Sequence, residues 1–250
     1  MNPYRYDQLT YLEIRARTDA GWLVVAPTSC TEQQGPHLPT GFDTWFAEEL
    51  MLAAAARAAE KHGVYALVLP ALPFGPTPEH RGYGAGYIHV PTRLHDALVR
   101  AVLESLAEQG FQRIVVWRGC GGHDLRRTVE QFNEEHSGVA HAFLPAPPFH
   151  DIWCRVGDPS VPGGHADSFT TSITMHLHPE LVRVDRIPQS RSKEPVWSEP
   201  NLDFSRYSST GVIGDATHAS AELGAALWEA AIAAGTQMLR EVSEHGSCIE

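Results

Sequence analysis

Short apolar runs that stop at proline or glycine alternate along this chain with stretches of helix length, and that alternation limits the fold more than any other feature. Trp22-Leu23-Val24-Val25-Ala26-Pro27 reads as a buried strand, followed by a Gly/Pro-rich loop to Gly41. Thr44 to Glu60 is rich in Ala and Leu, which favour a helix. Val64 to Leu69 is a second strand, halted at Pro70, and Pro- and Gly-rich sequence continues to Pro91. Arg93 to Gln109 is amphipathic, with Gly110 where a helix would be capped. Gln112 to Trp117 is a third strand. After Arg118-Gly119-Cys120-Gly121-Gly122 a helix carries Leu125, Val129 and Phe132 on one face, and Val139 to Leu144 is a fourth strand. This order predicts an α/β fold of three layers, a mainly parallel sheet with helices on both faces. Such sheets bind ligands beyond the carboxyl ends of their strands, so the site belongs in the loops after Pro27, Pro70 and Trp117.

The second half is less regular. Thr170 to Leu177 fits a helix or a strand, and Thr217 to Val242 is an Ala-rich helix. Asp185 to Thr210 is polar but holds Trp197, Phe204 and Tyr207, which predicts a lid or a subunit contact. No repeat or break in composition divides the 250 residues, so 1–250 forms one domain. With 19 basic against 30 acidic residues the net charge is −11, which argues against a nucleic-acid partner. No apolar window approaches the ~18 residues of a membrane span. The start, Met1-Asn2-Pro3-Tyr4-Arg5-Tyr6, lacks the layout of a signal peptide. Cys30, Cys120, Cys154 and Cys248 form no CxxC pair, which predicts a cytoplasmic protein with free thiols.

Fourteen histidines, many beside Gly, Pro or Asp, direct attention to the loops. Thr31 to Asp43 carries Glu32, His37 and Asp43 in a segment stiffened by two prolines; its hard oxygen donors suit a divalent ion. Asp43 also stands where a helix N-cap would. In Arg118 to Asp124, Cys120 can be a metal ligand, a nucleophile or a small buried side chain, and His123 and Asp124 can be caps. Gly163 to Ser172 places His165 in a glycine-rich stretch suited to moving a proton, with Asp167 as ligand or orienter. Pro78 to Gly84 offers His80 and Arg81 to an anionic or carbonyl substrate.

In this order the stretches resemble the creatininase family of metal hydrolases. Glu32-Gln33-Gln34-Gly35-Pro36-His37-Leu38-Pro39 with Gly41-Phe42-Asp43 is similar to the family's Glu-Gln-His-Gly-Pro-His-Leu-Pro and Gly-x-Asp. Glu79-His80, Arg118 to His123, Gly164-His165-Ala166 and Gly211 to Gly224 are similar to four further motifs, so the resemblance spans roughly Gly21 to Leu239. It implies two divalent ions held by a Glu, a His, a bridging Asp, a second His and a second Glu. Carried over singly, Glu32 and Asp43 are kept, Gln34 and Cys120 replace the histidines, and Gly122 or Thr170 replaces the second Glu.

Glu32, Asp43 and Cys120 remain a sound donor set, so the expectation is one zinc or manganese ion rather than two, unless His123, His165 or Asp167 restores the second. The implied reaction is hydrolysis at a carbonyl carbon of a small cyclic amide or ketone. Glu32, His165 and His123 are its catalytic candidates, and His37, His80, Arg81 and Arg118 its substrate-binding ones. The resemblance also implies a homo-oligomer, commonly a hexamer. Two other readings stand beside it: a metal-free enzyme with Cys120 as nucleophile activated by His123 or His165, and a non-catalytic relative that binds a metabolite or partner.

Overall fold

The structure is a computed structural model that describes residues 2–189 and 191–245; Met1 and Cys248 lie outside the described residues. Four strands, Leu23–Thr28 (β1), Ala66–Val68 (β2), Arg113–Arg118 (β3) and His141–Phe143 (β4), form one sheet in the order β2-β1-β3-β4. All pairings are parallel, with Val25 opposite both Val68 and Val115 and Ile114 opposite Ala142. Pro27 lies within β1 rather than ending it. It sits where β2 has already stopped, so its missing N–H breaks no rung of the ladder.

The helices of the described residues are Tyr11–Asp19 (α1), Phe42–His62 (α2), Thr92–Glu108 (α3), Arg126–Glu135 (α4), Phe149–Val156 (α5), Ser168–Leu177 (α6) and Ala221–His245 (α7). Because side chains alternate along a strand, each strand feeds two cores. Leu23, Val25, Val68, Val115 and Trp117 pack with Phe46, Leu50, Met51 and Ala54 of α2, Ile152 of α5, Ile173 of α6 and Leu227 and Leu239 of α7. Val24, Ala26, Leu67, Ile114 and Val116 pack on the opposite face with Val99, Leu103 and Leu106 of α3 and Val129 and Phe132 of α4. The expected three layers are therefore present, with helices on both faces.

Local signals explain where the elements stop. Gly63, at φ 64°, takes the left-handed position that ends α2. α6 and α7 pack closely because residue 224 is glycine: a Cβ there would stand 1.9 Å from the Ser172 carbonyl oxygen. Thr170 to Leu177 is helical, within α6. Neither α1 nor α5 is legible in the sequence. α1 buries no residue, and its one mark is the Thr10/Glu13 capping box. α5 is preceded by Pro145-Ala146-Pro147-Pro148, which reads as a loop. The Asp185 to Thr210 stretch is largely irregular and turns back over the strand ends, where Phe204 lies with its ring centroid 5.2 Å from His80 and 5.7 Å from His165. No helix among the described residues is long and apolar enough to cross a membrane.

Candidate active site

The chain leaves β1 toward β2 on one side and reaches β3 on the other, so a crevice opens between the carboxyl ends of β1 and β3. Cys30 and Glu32 enter it from the end of β1, Cys120 and His123 from the end of β3, and Asp43 from the first turn of α2. Gly75 to His80 arrives after β2, and His165 comes from the loop before α6. Cys30, Glu32, Asp43, His80, Cys120, His123 and His165 are all buried, with Glu32 only 4% exposed.

Glu32 is the hub. Its Oε2 lies 3.1 Å from Cys30 Sγ, 3.9 Å from Cys120 Sγ and 3.2 Å from His80 Nε2, while Oε1 lies 3.4 Å from His165 Nδ1. Cys30 Sγ also reaches Asp43 Oδ2 at 3.6 Å, and Gln34 Nε2 donates to that oxygen at 2.8 Å. His165 is held by a 2.6 Å hydrogen bond from Nε2 to the Gln33 carbonyl, which turns Nδ1 toward Glu32. Its neighbour Ala166 has φ 52°, a left-handed conformation disfavoured for alanine and tolerated where surrounding contacts enforce it. Three groups of donors fall within 4.8 Å of one another: Cys30, Cys120 and His123; Glu32, His80 and His165; and Cys30, Glu32 and Asp43.

The electrostatics divide the two carboxylates. Burial acts to raise the Glu32 carboxyl, but hydrogen bonding and charge from His80, with His165 and Cys30, hold it down to about 2. Asp43 is pushed well above the ordinary carboxylate range by burial and by the nearby Glu32 charge. Burial and its acidic neighbours raise the Cys30 thiol, the hydrogen bond with Cys120 acting the same way. For Cys120 the hydrogen bond with Cys30 acts to lower the thiol, yet burial with Glu32 and Asp43 pushes it up to about 11. Burial takes His123 down to about 3 and His165 down to about 4. A crevice with two carboxylates, two thiols and neutral imidazoles is a poor place for a free anion and a good one for a cation.

The sequence-derived site residues separate into those the fold gathers and those it does not. Glu32, Asp43, Cys120, His123, His165 and His80 converge. Asp43 is not the N-cap of α2: the helix starts at Phe42 after Gly41, leaving the carboxylate free to turn inward. Asp167 is a cap. Its carboxylate accepts from the Gly164 and Thr170 amides, which pins the loop bearing His165 rather than supplying a ligand. His37 is fully buried against α6, with Nε2 2.8 Å from Thr171 Oγ1. Arg118 is half-buried; Nη1 donates to the His123 carbonyl at 2.9 Å and Nε is left without a partner. Arg81 is exposed on the surface turn that buries its neighbour His80.

Three contributors were not read from the sequence as site residues. Cys30 precedes Glu32 by two positions, a spacing that places both side chains on one side of an extended segment. His95 lies on the buried face of α3 in step with Val99 and Leu103, and its ring centroid is 4.5 Å from that of His123. Glu79 approaches the vacated position at Gly122, where a Cβ would stand 3.4 Å from its Oε1.

Gly75 gives His123 its room. A Cβ on Gly75 would stand 2.3 Å from both Cε1 and Nε2 of that ring. Gly75→Ala is therefore expected to displace His123 and destabilise the protein by about 1–3 kcal/mol, the usual cost of overpacking a filled interior. Urea titration checks this; an unchanged midpoint would show that the ring has room to move.

A cavity of about 650 Å³ lies beside this cluster and meets it at Asp43. Gly119 and Gly121 line it next to Asp43, and Phe42, Phe46, Phe149, Trp153 and Trp197 give it aromatic walls.

Comparisons with known proteins identify the family and the fold. The family described as "Creatininase: Creatinine amidohydrolase" matches residues 7–239. The mycofactocin precursor peptide peptidase of Mycobacterium tuberculosis (strain CDC 1551 / Oshkosh) is 32% identical over 222 residues, covering 84% of this chain and 81% of that protein. The creatinine amidohydrolase of Pseudomonas putida is 27% identical over 259 residues, covering 94% and 95%. Among solved structures, a mutant creatininase superimposes with a TM-score of 0.81 at 21% identity, covering 95% of this chain and 98% of that one. A manganese creatininase does so at 0.77 and 23%, with the same coverage.

Proposed function

The chain belongs to the creatininase family, and from that premise we propose that it is a metal-dependent hydrolase attacking a carbonyl carbon of a small cyclic amide or ketone. One observation carries the reading: Glu32, Asp43 and Cys120, expected as ligands from the resemblance, converge with Cys30 in one buried crevice. The donor set fits a divalent ion. His123 has both ring nitrogens without a partner although it is 1% exposed, and Asp43 is strained by the Glu32 charge that a cation would offset. Gln34 supports a single ion. Its amide donates to Asp43 Oδ2 from the position where the family places a histidine ligand.

When bound, a divalent ion polarises a carbonyl and makes water acidic near neutral pH. This chain's own residues do the rest. Glu32 stays ionised through neutral pH and can accept a proton from water. His165, neutral and fixed by Gln33, presents Nδ1 to Glu32 Oε1 and can pass that proton to a leaving nitrogen. Arg118, half-buried with Nη1 on the His123 carbonyl, brings a positive charge next to the cluster that suits an oxygen-rich or anionic substrate. With its thiol pushed up to about 11, Cys120 is a poor free nucleophile, which weighs against the metal-free alternative. The gathered donors weigh against a non-catalytic relative, since packing alone does not call for them.

A second reading, hydrolysis of a peptide amide, is raised by the likeness to the mycofactocin precursor peptide peptidase. The cavity of about 650 Å³, within the roughly 300–1,000 Å³ range of ligand sites, has room for either substrate class. Protein purified without a histidine tag, assayed on creatinine, other cyclic amides, cyclic ketones and short peptides, tests both. One ion per chain and chelator-sensitive turnover are expected; two ions, or none after reconstitution, would overturn the single-ion mechanism. Turnover of peptides with no cyclic substrate accepted would replace the first reading by the second.

A further inference from the structure

We infer that the ion is centred on the sulfur side of the crevice, held by Cys30 Sγ, Cys120 Sγ and a ring nitrogen of His123, and that this site selects zinc over manganese. The inference rests on the proposed metal dependence and changes the ligand set: Cys30 and His123 are added, and Glu32 and Asp43 become neighbours, Asp43 held by Gln34.

The geometry supports a three-donor site. A tetrahedral zinc at ~2.3 Å from sulfur and ~2.0 Å from nitrogen places its donors about 3.5–3.8 Å apart. The Cys30, Cys120 and His123 donor atoms already lie within 4.8 Å of one another, so only a small contraction is required.

The hydrogen-bonding inventory points the same way. Both carboxylates are engaged: Glu32 Oε2 accepts from Cys30 and faces His80, Oε1 faces His165, and Asp43 Oδ2 accepts from Gln34 and Cys30. His123, by contrast, is buried with neither ring nitrogen satisfied. Unmade hydrogen bonds on a buried imidazole are costly unless a ligand completes them. The ring is also aimed rather than loose: Gly75 leaves it a fitted gap, His95 lies against it, and Arg118 holds its carbonyl.

Donor chemistry sets the choice of metal. Two thiolates and an imidazole favour zinc, whereas manganese prefers oxygen donors. Each thiol releases its proton to solvent as its sulfur becomes a ligand, so two thiolates neutralise the ion. Three protein donors would leave a fourth position for water, as a site that does chemistry requires, with Glu32 Oε2 nearby at 3.1 Å from Cys30 Sγ and 3.9 Å from Cys120 Sγ.

Zinc-edge X-ray absorption on the full-length wild-type protein tests this without a variant. Two sulfur scatterers at ~2.3 Å with an imidazole shell are expected. One sulfur, or none, with oxygen donors would overturn the inference while leaving the metal-dependent reading intact. Failure to bind any divalent ion after reconstitution would remove both. As an independent readout, the cobalt-substituted protein should show near-ultraviolet thiolate-to-cobalt absorption. Cys30→Ser should roughly halve that absorption and lower zinc affinity by about 10²-fold or more. Cys154→Ser, which changes an exposed thiol of the cavity wall that belongs to none of the donor groups, should alter neither. Unchanged absorption and zinc affinity in Cys30→Ser would overturn the inference.

Discussion

Glu32→Gln is expected to leave a folded protein whose turnover is lower by about 10²–10⁴-fold, the range for losing a group that moves protons in the transition state. The substitution keeps volume and an acceptor for His80, so the crevice stays packed. It removes the negative charge to which His80, His165, Cys30 and Cys120 are all oriented. Steady-state turnover on whichever amide the wild type accepts is the measurement, with thermal unfolding confirming the fold. A loss below about fivefold would place the carboxylate outside the chemistry, since a proton-transfer role is worth far more.

Phe46→Ala should be the most destabilising single change near the site, at about 3–5 kcal/mol. Phe46 is 2% exposed and joins four elements through ring contacts: Phe42 at 5.0 Å, Phe149 at 5.3 Å, Trp228 at 6.0 Å and Phe169 at 6.3 Å. Removing the ring leaves a void that α2, α5, α6 and α7 cannot close together without breaking their other contacts. At about 2–4 °C per kcal/mol for a chain of this size, the midpoint should fall by roughly 6–20 °C. Phe46→Leu should recover most of that loss. Urea titration with an unchanged slope would show that the native state, rather than the unfolded one, carries the effect. A fall of less than about 1 kcal/mol would mean the helical layer packs independently of this ring.

The sheet was legible because buried parallel strands are apolar on both faces and end in Pro or Gly, signals that survive in a single sequence. α1 and α5 were not, since the first buries no residue fully and the second is disguised by prolines. Site location followed from strand order alone. Site composition needed the family motifs, which grouped Glu32, Asp43 and Cys120; pairs such as Glu32 with His80, or Cys30 with Cys120, appear only once the parallel crossovers bring the loops together. Asp43 shows the limit of local signals. It sits where a cap is expected, yet the helix begins one residue earlier and the carboxylate serves the crevice. Cys30 was overlooked for the opposite reason: a buried cysteine carries no sign of its role until its neighbours are known. His95 looked like an ordinary member of an apolar stripe and proves to wall the ring of His123.

The donors all sit on segments just outside the regular sheet, while stability resides in the two apolar cores beneath them. Energy and chemistry are thus carried by different atoms. A lineage built on this frame is free to trade one ligand for another, or to reshape the aromatic wall, without refolding the whole. Inheritance of the scaffold with drift in its rim is how one ancestor can give rise to descendants of different appetite.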